Sequence, residues 1–115
     1  MAGEKTAERY MRKAGYRIRD RRWRCKEGEI DLVAEKGGEV VFVEVKTRAS
    51  DAFGGALVAV DDCKAARLRA AAYVYLNRHS LWDRPFRIDV IAVTVASDGR
   101  TVSLEHLISA VEEDE

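Results

Sequence analysis

Proline occurs once in this 115-residue chain, cysteine twice, and the formal net charge is zero. Each scarcity excludes something. A single proline rules out a proline-rich spacer. Two cysteines, Cys25 and Cys63, are too few and too far apart for a disulfide framework or a zinc ligand spacing. They read as reduced thiols of a cytoplasmic protein. No apolar run approaches the length of a membrane span. The opening "MAGEKTAERY" has no apolar stretch, so no secretion signal is expected. His79 and His106 sit in no ligand pattern.

What is present is a folded composition. Hydrophobic residues make up 47% and charged residues 35%, which argues for a core and against disorder. The length suits one domain, residues 1–115. Charge is unevenly placed. Residues 1–27 hold ten cations and four anions, hence +6, whereas residues 105–115 carry five carboxylates and no lysine or arginine, hence −5. The basic segment fits a polyanion such as nucleic acid. It equally fits a solvated surface balanced by an acidic tail.

The chain reads as αβββαββ, an α/β domain with a central mixed sheet flanked by helices. Ala7, Tyr10, Met11 and Ala14 form a helical stripe over 3–14, and Gly15 stops it. Residues 16–24 alternate weakly, as an edge strand does. Strands follow at 29–35 and 39–48. A glycine-rich loop, "ASDAFGGA", leads to a helix over 62–78, capped by Asp61 or Asp62, with Leu68, Ala72, Tyr75 and Leu76 inward. Residues 86–95 are rich in β-branched side chains. After "SDGR" a last strand is expected near Thr101–Leu104, then a short C-terminal helix.

The stretch "GEIDLVAEKGGEVVFVEVKTR" (28–48) carries the chemistry. Gly37-Gly38 suits a two-residue hairpin turn, because both positions need positive φ. Paired residues then put Ile30 opposite Val45, Leu32 opposite Val43 and Ala34 opposite Val41, all apolar. On the other face Val33 meets Phe42, Asp31 meets Glu44, and Glu29 meets Lys46. A wet face explains an ion pair of Glu29 with Lys46. It explains Asp31 against Glu44 poorly, since like charges directly opposed destabilise a sheet by up to about 1 kcal/mol. Two hard oxygen donors at this spacing suit a divalent cation. Mg²⁺ takes one or two carboxylates plus waters and phosphates.

In such a site Asp31 and Glu44 hold the metal, and the carbonyl of Val45 adds an oxygen. Metal-bound water loses a proton more readily, and the metal neutralises charge building on a phosphate. Lys46 points to the same side as Glu44, where its ammonium orients water or stabilises the transition state. Carboxylates beside it favour its charged form, so it becomes a general base only if burial wins. Glu29 serves best to orient Lys46.

Asp31 followed by Glu44-Val45-Lys46 resembles the motif of the PD-(D/E)xK nuclease superfamily. The longer match, residues 28–48 with "AFGGA" (52–56), Lys64 and "RIDVIAV" (87–93), resembles the YraN-like family of small bacterial proteins. This resemblance covers nearly the whole chain. It implies a restriction-endonuclease-like fold similar to that of archaeal Holliday-junction resolvases. It also implies that Glu4, on the first helix, joins Asp31 and Glu44 at the metal. The superfamily's proline before the aspartate is Ile30 here, and Arg22 stands where the family often has asparagine.

For nucleic acid, Arg22, Arg24, Arg48, Lys64 and Arg67 are the candidate phosphate contacts, with Arg17, Arg19 and Arg21 beside them. Lys64 and Arg67 fit a solvated helix face as well. Trp23, Tyr10, Tyr16 and Phe53 are candidates for base stacking, although Tyr10 and Tyr16 fit the core better. Asp89, inside a hydrophobic strand, reads as a structural partner to an arginine. The expected function is Mg²⁺- or Mn²⁺-dependent cleavage of DNA, rather than RNA, branched DNA included. The alternatives are a nucleic-acid-binding module without turnover and a protein-interaction domain whose acidic tail docks a basic partner. A homodimer follows by analogy with junction-cutting relatives.

Overall fold

The computed structural model describes residues 2–50 and 62–111. Helix α1 spans Ala2–Lys13. Strands β1 (Arg17–Cys25), β2 (Gly28–Lys36) and β3 (Glu39–Ala49) follow. Helix α2 (Asp62–Arg78) leads to β4 (Phe86–Val95) and β5 (Thr101–Val111). The order is αβββαββ, as expected, consistent with a restriction-endonuclease-like fold. The five strands lie side by side in chain order. Only β3 and β4 are parallel. A parallel pair needs a long crossover, and α2 lies within it.

The two helices cover opposite faces. Ala7 and Met11 of α1 pack on Leu32, Ala34, Val41, Val43, Val45, Ile91 and Val93. Leu68, Ala71, Ala72, Tyr75 and Leu76 of α2 pack on Ile30, Val33, Val40, Phe42 and Ile88. Strand β3 therefore reads as nearly continuous hydrophobe because both its faces are buried. Gly37 and Gly38 have φ of 60° and 85°, the paired positive values of a tight hairpin. The observed partners, from Leu32↔Val43 to Lys36↔Glu39, keep the register expected from that turn.

The chain end differs from expectation. Residues through Val111 form β5, so the short C-terminal helix does not occur among the described residues. The reason is the length of β4, which offers ladder partners all the way to Ile88↔Val111. Fully buried Asp89 reinforces this by accepting the Ser109 N–H at 2.9 Å. The "AFGGA" loop, Phe53, Asp61 and the last four acidic residues lie outside the described residues. No helix among the described residues is long and apolar enough to cross a membrane.

Candidate active site

The site forms where β2 and β3 separate. Their ladder stops at Leu32↔Val43. One residue earlier, Asp31 Oδ2 accepts the Val45 N–H at 2.8 Å. A side chain thus takes the place of a backbone partner. The alternation breaks here too. Leu32 packs under α1, yet Ile30, two residues away, packs under α2. The expected pairing of Ile30 with Val45 is therefore corrected: β2 rolls over at Asp31. Strand β1 bends with it. The pairs Arg21↔Leu32 and Trp23↔Ile30 put Arg22 opposite Asp31, and Arg22 has a left-handed φ of 48°.

The roll turns Asp31 toward Glu44, close enough for the two carboxyl groups to act on each other. Burial pushes the Asp31 carboxyl up to about 6, and the charges of Glu44 and Glu4 add to this against the opposing Val45 N–H. Glu44 is 6% exposed, and its carboxylate meets Lys64 Nζ of α2 at 3.4 Å. Lys46 lies on the same side, within hydrogen-bonding reach of Lys64. Burial lowers the Lys46 pKa, and the Lys64 hydrogen bond lowers it further, against the pull of Glu44 and Asp31. Lys64 moves the other way, raised by its bond to Lys46 and then by Glu44. So the two lysines shift in opposite directions, Lys46 down and Lys64 up.

One expected partnership is corrected. Glu29 does not pair with Lys46. It lies beside Arg24 across β1–β2, 3.1 Å from the guanidinium. The separation of β2 from β3 carries it away from Lys46 and toward β1. Glu4 lines one cavity with Asp31, close enough for its charge to raise the Asp31 carboxyl. It accepts from Arg22 Nε at 2.7 Å, and no three acids, histidines or cysteines among the described residues are grouped to hold a metal ion. Helix α1 does approach closely at this end: a Cβ on Gly3 would lie 2.0 Å from Thr47 Oγ1. Glu4 thus stands nearby on its own cation.

The remaining donors fit a hard divalent cation. Asp31 and Glu44 form a two-carboxylate pair that a cation would stabilise, and Mg²⁺ completes its shell with water and phosphate oxygens. The Val45 N–H fixes Asp31.

A cavity of about 260 Å³ lies over this pair, lined by Gly28, Glu29, Asp31, Glu44, Lys64, Arg67 and Leu68. It brings Lys64 and Arg67 to the carboxylates, as the sequence suggested. Arg67 also reaches Cys63 Sγ at 3.5 Å. Arg48 lies elsewhere, beside Thr94 Oγ1 at 3.3 Å, in a separate hollow with Thr47 and Gly99. Arg17 and Arg19 hold Glu35, and Arg21 holds Glu8. Trp23 meets Tyr75 edge-on. Tyr10 bonds His106, and Tyr16 bonds Arg87. Asp89 does partner an arginine, Arg87, at 3.0 Å, and accepts from His106 at 2.7 Å.

Sequence reasoning missed the basic side of α1. A second cavity of about 230 Å³ shares Asp31 and runs under Glu4, Lys5, Glu8, Arg21 and Arg22. It adjoins a third of about 460 Å³ lined by Lys5, Glu8, Arg9, Arg12 and Arg21. The spacing of Lys5, Arg9 and Arg12 was the available signal, and it looks like any solvated helix face.

Comparison with known proteins supplies a family. A protein of Chloroflexus aurantiacus is 49% identical over 113 residues, covering 97% of this chain and 91% of the relative. One of Roseiflexus castenholzii is 45% identical over 112 residues, covering 96% and 90%. One of Beutenbergia cavernae is 47% identical over 105 residues, covering 91% and 88%. All three are described only as UPF0102 proteins. Residues 3–93 match the model of the Uncharacterised protein family UPF0102, and the chain belongs to that family.

Proposed function

We propose that this protein is a Mg²⁺- or Mn²⁺-dependent endonuclease that hydrolyses phosphodiester bonds in DNA, branched or otherwise structured DNA included. One observation carries the reading: a strand pair opens to set Asp31 against Glu44, with two lysines on the same side. Opposed carboxylates weaken a sheet. Their retention at a bend makes sense where a cation and a phosphate are to be bound. The resemblance of Asp31 and Glu44-Val45-Lys46 to the PD-(D/E)xK motif, and of the chain to the YraN-like family, supports it.

Asp31 and Glu44 would hold the metal, which supplies charge neutralisation and a more acidic water. The rest falls to the chain. The Val45 N–H fixes the Asp31 rotamer. Lys46 Nζ, its pKa lowered by burial, takes a proton from the attacking water. Burial shifts Lys46 in the direction a general base needs, which supports that role for it. Lys64 Nζ, held charged, faces the phosphate oxygens, with Arg67 beside it. The same reading carries a cytoplasmic location and DNA as the partner, with a homodimer by analogy alone.

The test is incubation with branched, flapped and linear DNA, with and without Mg²⁺ or Mn²⁺. Metal-dependent products are expected, and cleavage that persists in Asp31→Ala or Glu44→Ala would refute the site. A second reading, binding without turnover, has one observation in its favour. Lys64 already neutralises Glu44 and Arg22 already neutralises Glu4. It predicts salt-dependent DNA binding with no metal-dependent product.

A further inference from the structure

The carboxylate pair is poorly placed to attract a polyanion by itself. The side chains lining its cavity carry three acids against two cations, a formal −1. Across Asp31, the second cavity balances three acids with three cations. The third holds Lys5, Arg9, Arg12 and Arg21 against Glu8 alone, a formal +3. The three share walls: Asp31 belongs to the first two, and Lys5, Glu8 and Arg21 to the last two. Potential therefore rises along one continuous trough, from the carboxylates out between α1 and β1.

We infer that this α1–β1 groove is the nucleic-acid landing track, binding one phosphodiester strand on Lys5, Arg9, Arg12 and Arg21 and leading it to Asp31 and Glu44. The inference rests on the nuclease reading and adds where the polymer lies and how it is read. Lys5, Arg9 and Arg12 recur at one helix face. At about 1.5 Å per residue they span roughly 10 Å, or about three phosphates of one strand at about 3.4 Å each. Glu8 arranges two of the cations. It takes Arg21 through two bonds, 2.6 and 2.7 Å, and Arg12 at 3.0 Å, so both guanidiniums stand fixed on one anchor. Arg21 and Arg12 hold that carboxyl down near 2, so the anchor stays charged. Lys5 and Arg9 have no carboxylate partner among the described residues, and they are exposed. No aromatic side chain lines the outer cavities. The track therefore reads backbone charge and little base sequence.

The experiment uses the full chain, a short labelled DNA oligonucleotide and EDTA, with anisotropy read across salt concentrations. The double variant Lys5→Ala, Arg9→Ala removes two exposed cations and no core contact. Each lost phosphate contact takes about 0.7 to 0.9 off the salt slope. The slope should become shallower by about 1.6, and affinity near 0.1 M salt should fall by about 40-fold. Arg78→Ala, at the far end of α2, should bind as wild type does. The inference is overturned if wild type binds and the double variant binds equally well, or if Arg78→Ala loses as much. Failure of wild type to bind any DNA would instead sink the nuclease reading, and this inference with it.

Discussion

Replacing Asp31 by asparagine should make the protein more stable, and the gain should depend on pH in a way that identifies its origin. Asparagine keeps the shape, still accepts the Val45 N–H and can donate to Glu44, so only charge is removed. The Asp31 carboxyl is raised from an ordinary 3.8 to about 6. A raised acid favours the folded state while it is protonated in both states, below about pH 3.8. That advantage drains away as pH climbs through 6. Above it, the charged carboxylate costs the fold roughly two units at about 1.4 kcal/mol each. Asp31 is partly reached by solvent, which trims the figure to about 2 kcal/mol. For a chain of this size that is about 8 °C in Tm. Thermal unfolding followed by circular dichroism, in EDTA, should show Asp31→Asn melting about 8 °C above wild type near pH 8 and level with it near pH 4. Added Mg²⁺ should raise the wild-type Tm and leave the variant's unmoved, because ligand binding stabilises only the chain that binds. Equal melting near pH 8, or a gain that persists near pH 4, would refute the claim that the two carboxylates strain the fold.

Three more outcomes test neighbouring parts. Lys64→Ala removes the cation that lowers Lys46, so the acid limb of kcat/KM for DNA cleavage should move to higher pH; an unmoved profile would remove Lys46 as the base. Arg22→Asn puts a residue that tolerates left-handed backbone at φ 48° and frees Glu4. Stability should change by less than about 1 kcal/mol, while calorimetry with Mn²⁺ should show tighter binding; weaker binding would mean that Arg22 supports the site instead of competing for it. Asp89→Ala leaves Arg87 and His106 without their buried anchor and should cost about 3–5 kcal/mol in denaturant unfolding, with β5 amides losing exchange protection first.

The hairpin was legible because two local rules agree on it. Diglycine needs positive φ, and a period of two then fixes which side chains share a face. Leu32↔Val43 and Val33↔Phe42 follow directly. The same rule failed one residue beyond Leu32↔Val43 for a physical reason. It assumes a ladder that never opens, and this one opens at Asp31. Ile30, Glu29 and their predicted partners were misplaced together, by one event. Lys64 was nameable on α2, but its bond to Glu44 belongs to the way α2 crosses the sheet. The C-terminal strand was misjudged because "EHLISAV" has apolar positions that serve a helix or a strand, and only the free edge of β4 decides between them.

The opening also explains which acid should matter most. Around the site Glu4, Glu29 and Glu44 each meet a cation of the chain, respectively Arg22, Arg24 and Lys64. Asp31 is held by a backbone N–H and faces another carboxyl. Three of the acids are stable as they stand, and the fourth is retained at a cost. Asparagine would serve the same hydrogen bonds without that cost, so packing cannot be the reason for the charge. A charge kept against stability at the mouth of a basic groove is most simply explained by what it binds, which makes Asp31, more than Glu44, the residue whose loss should abolish metal binding.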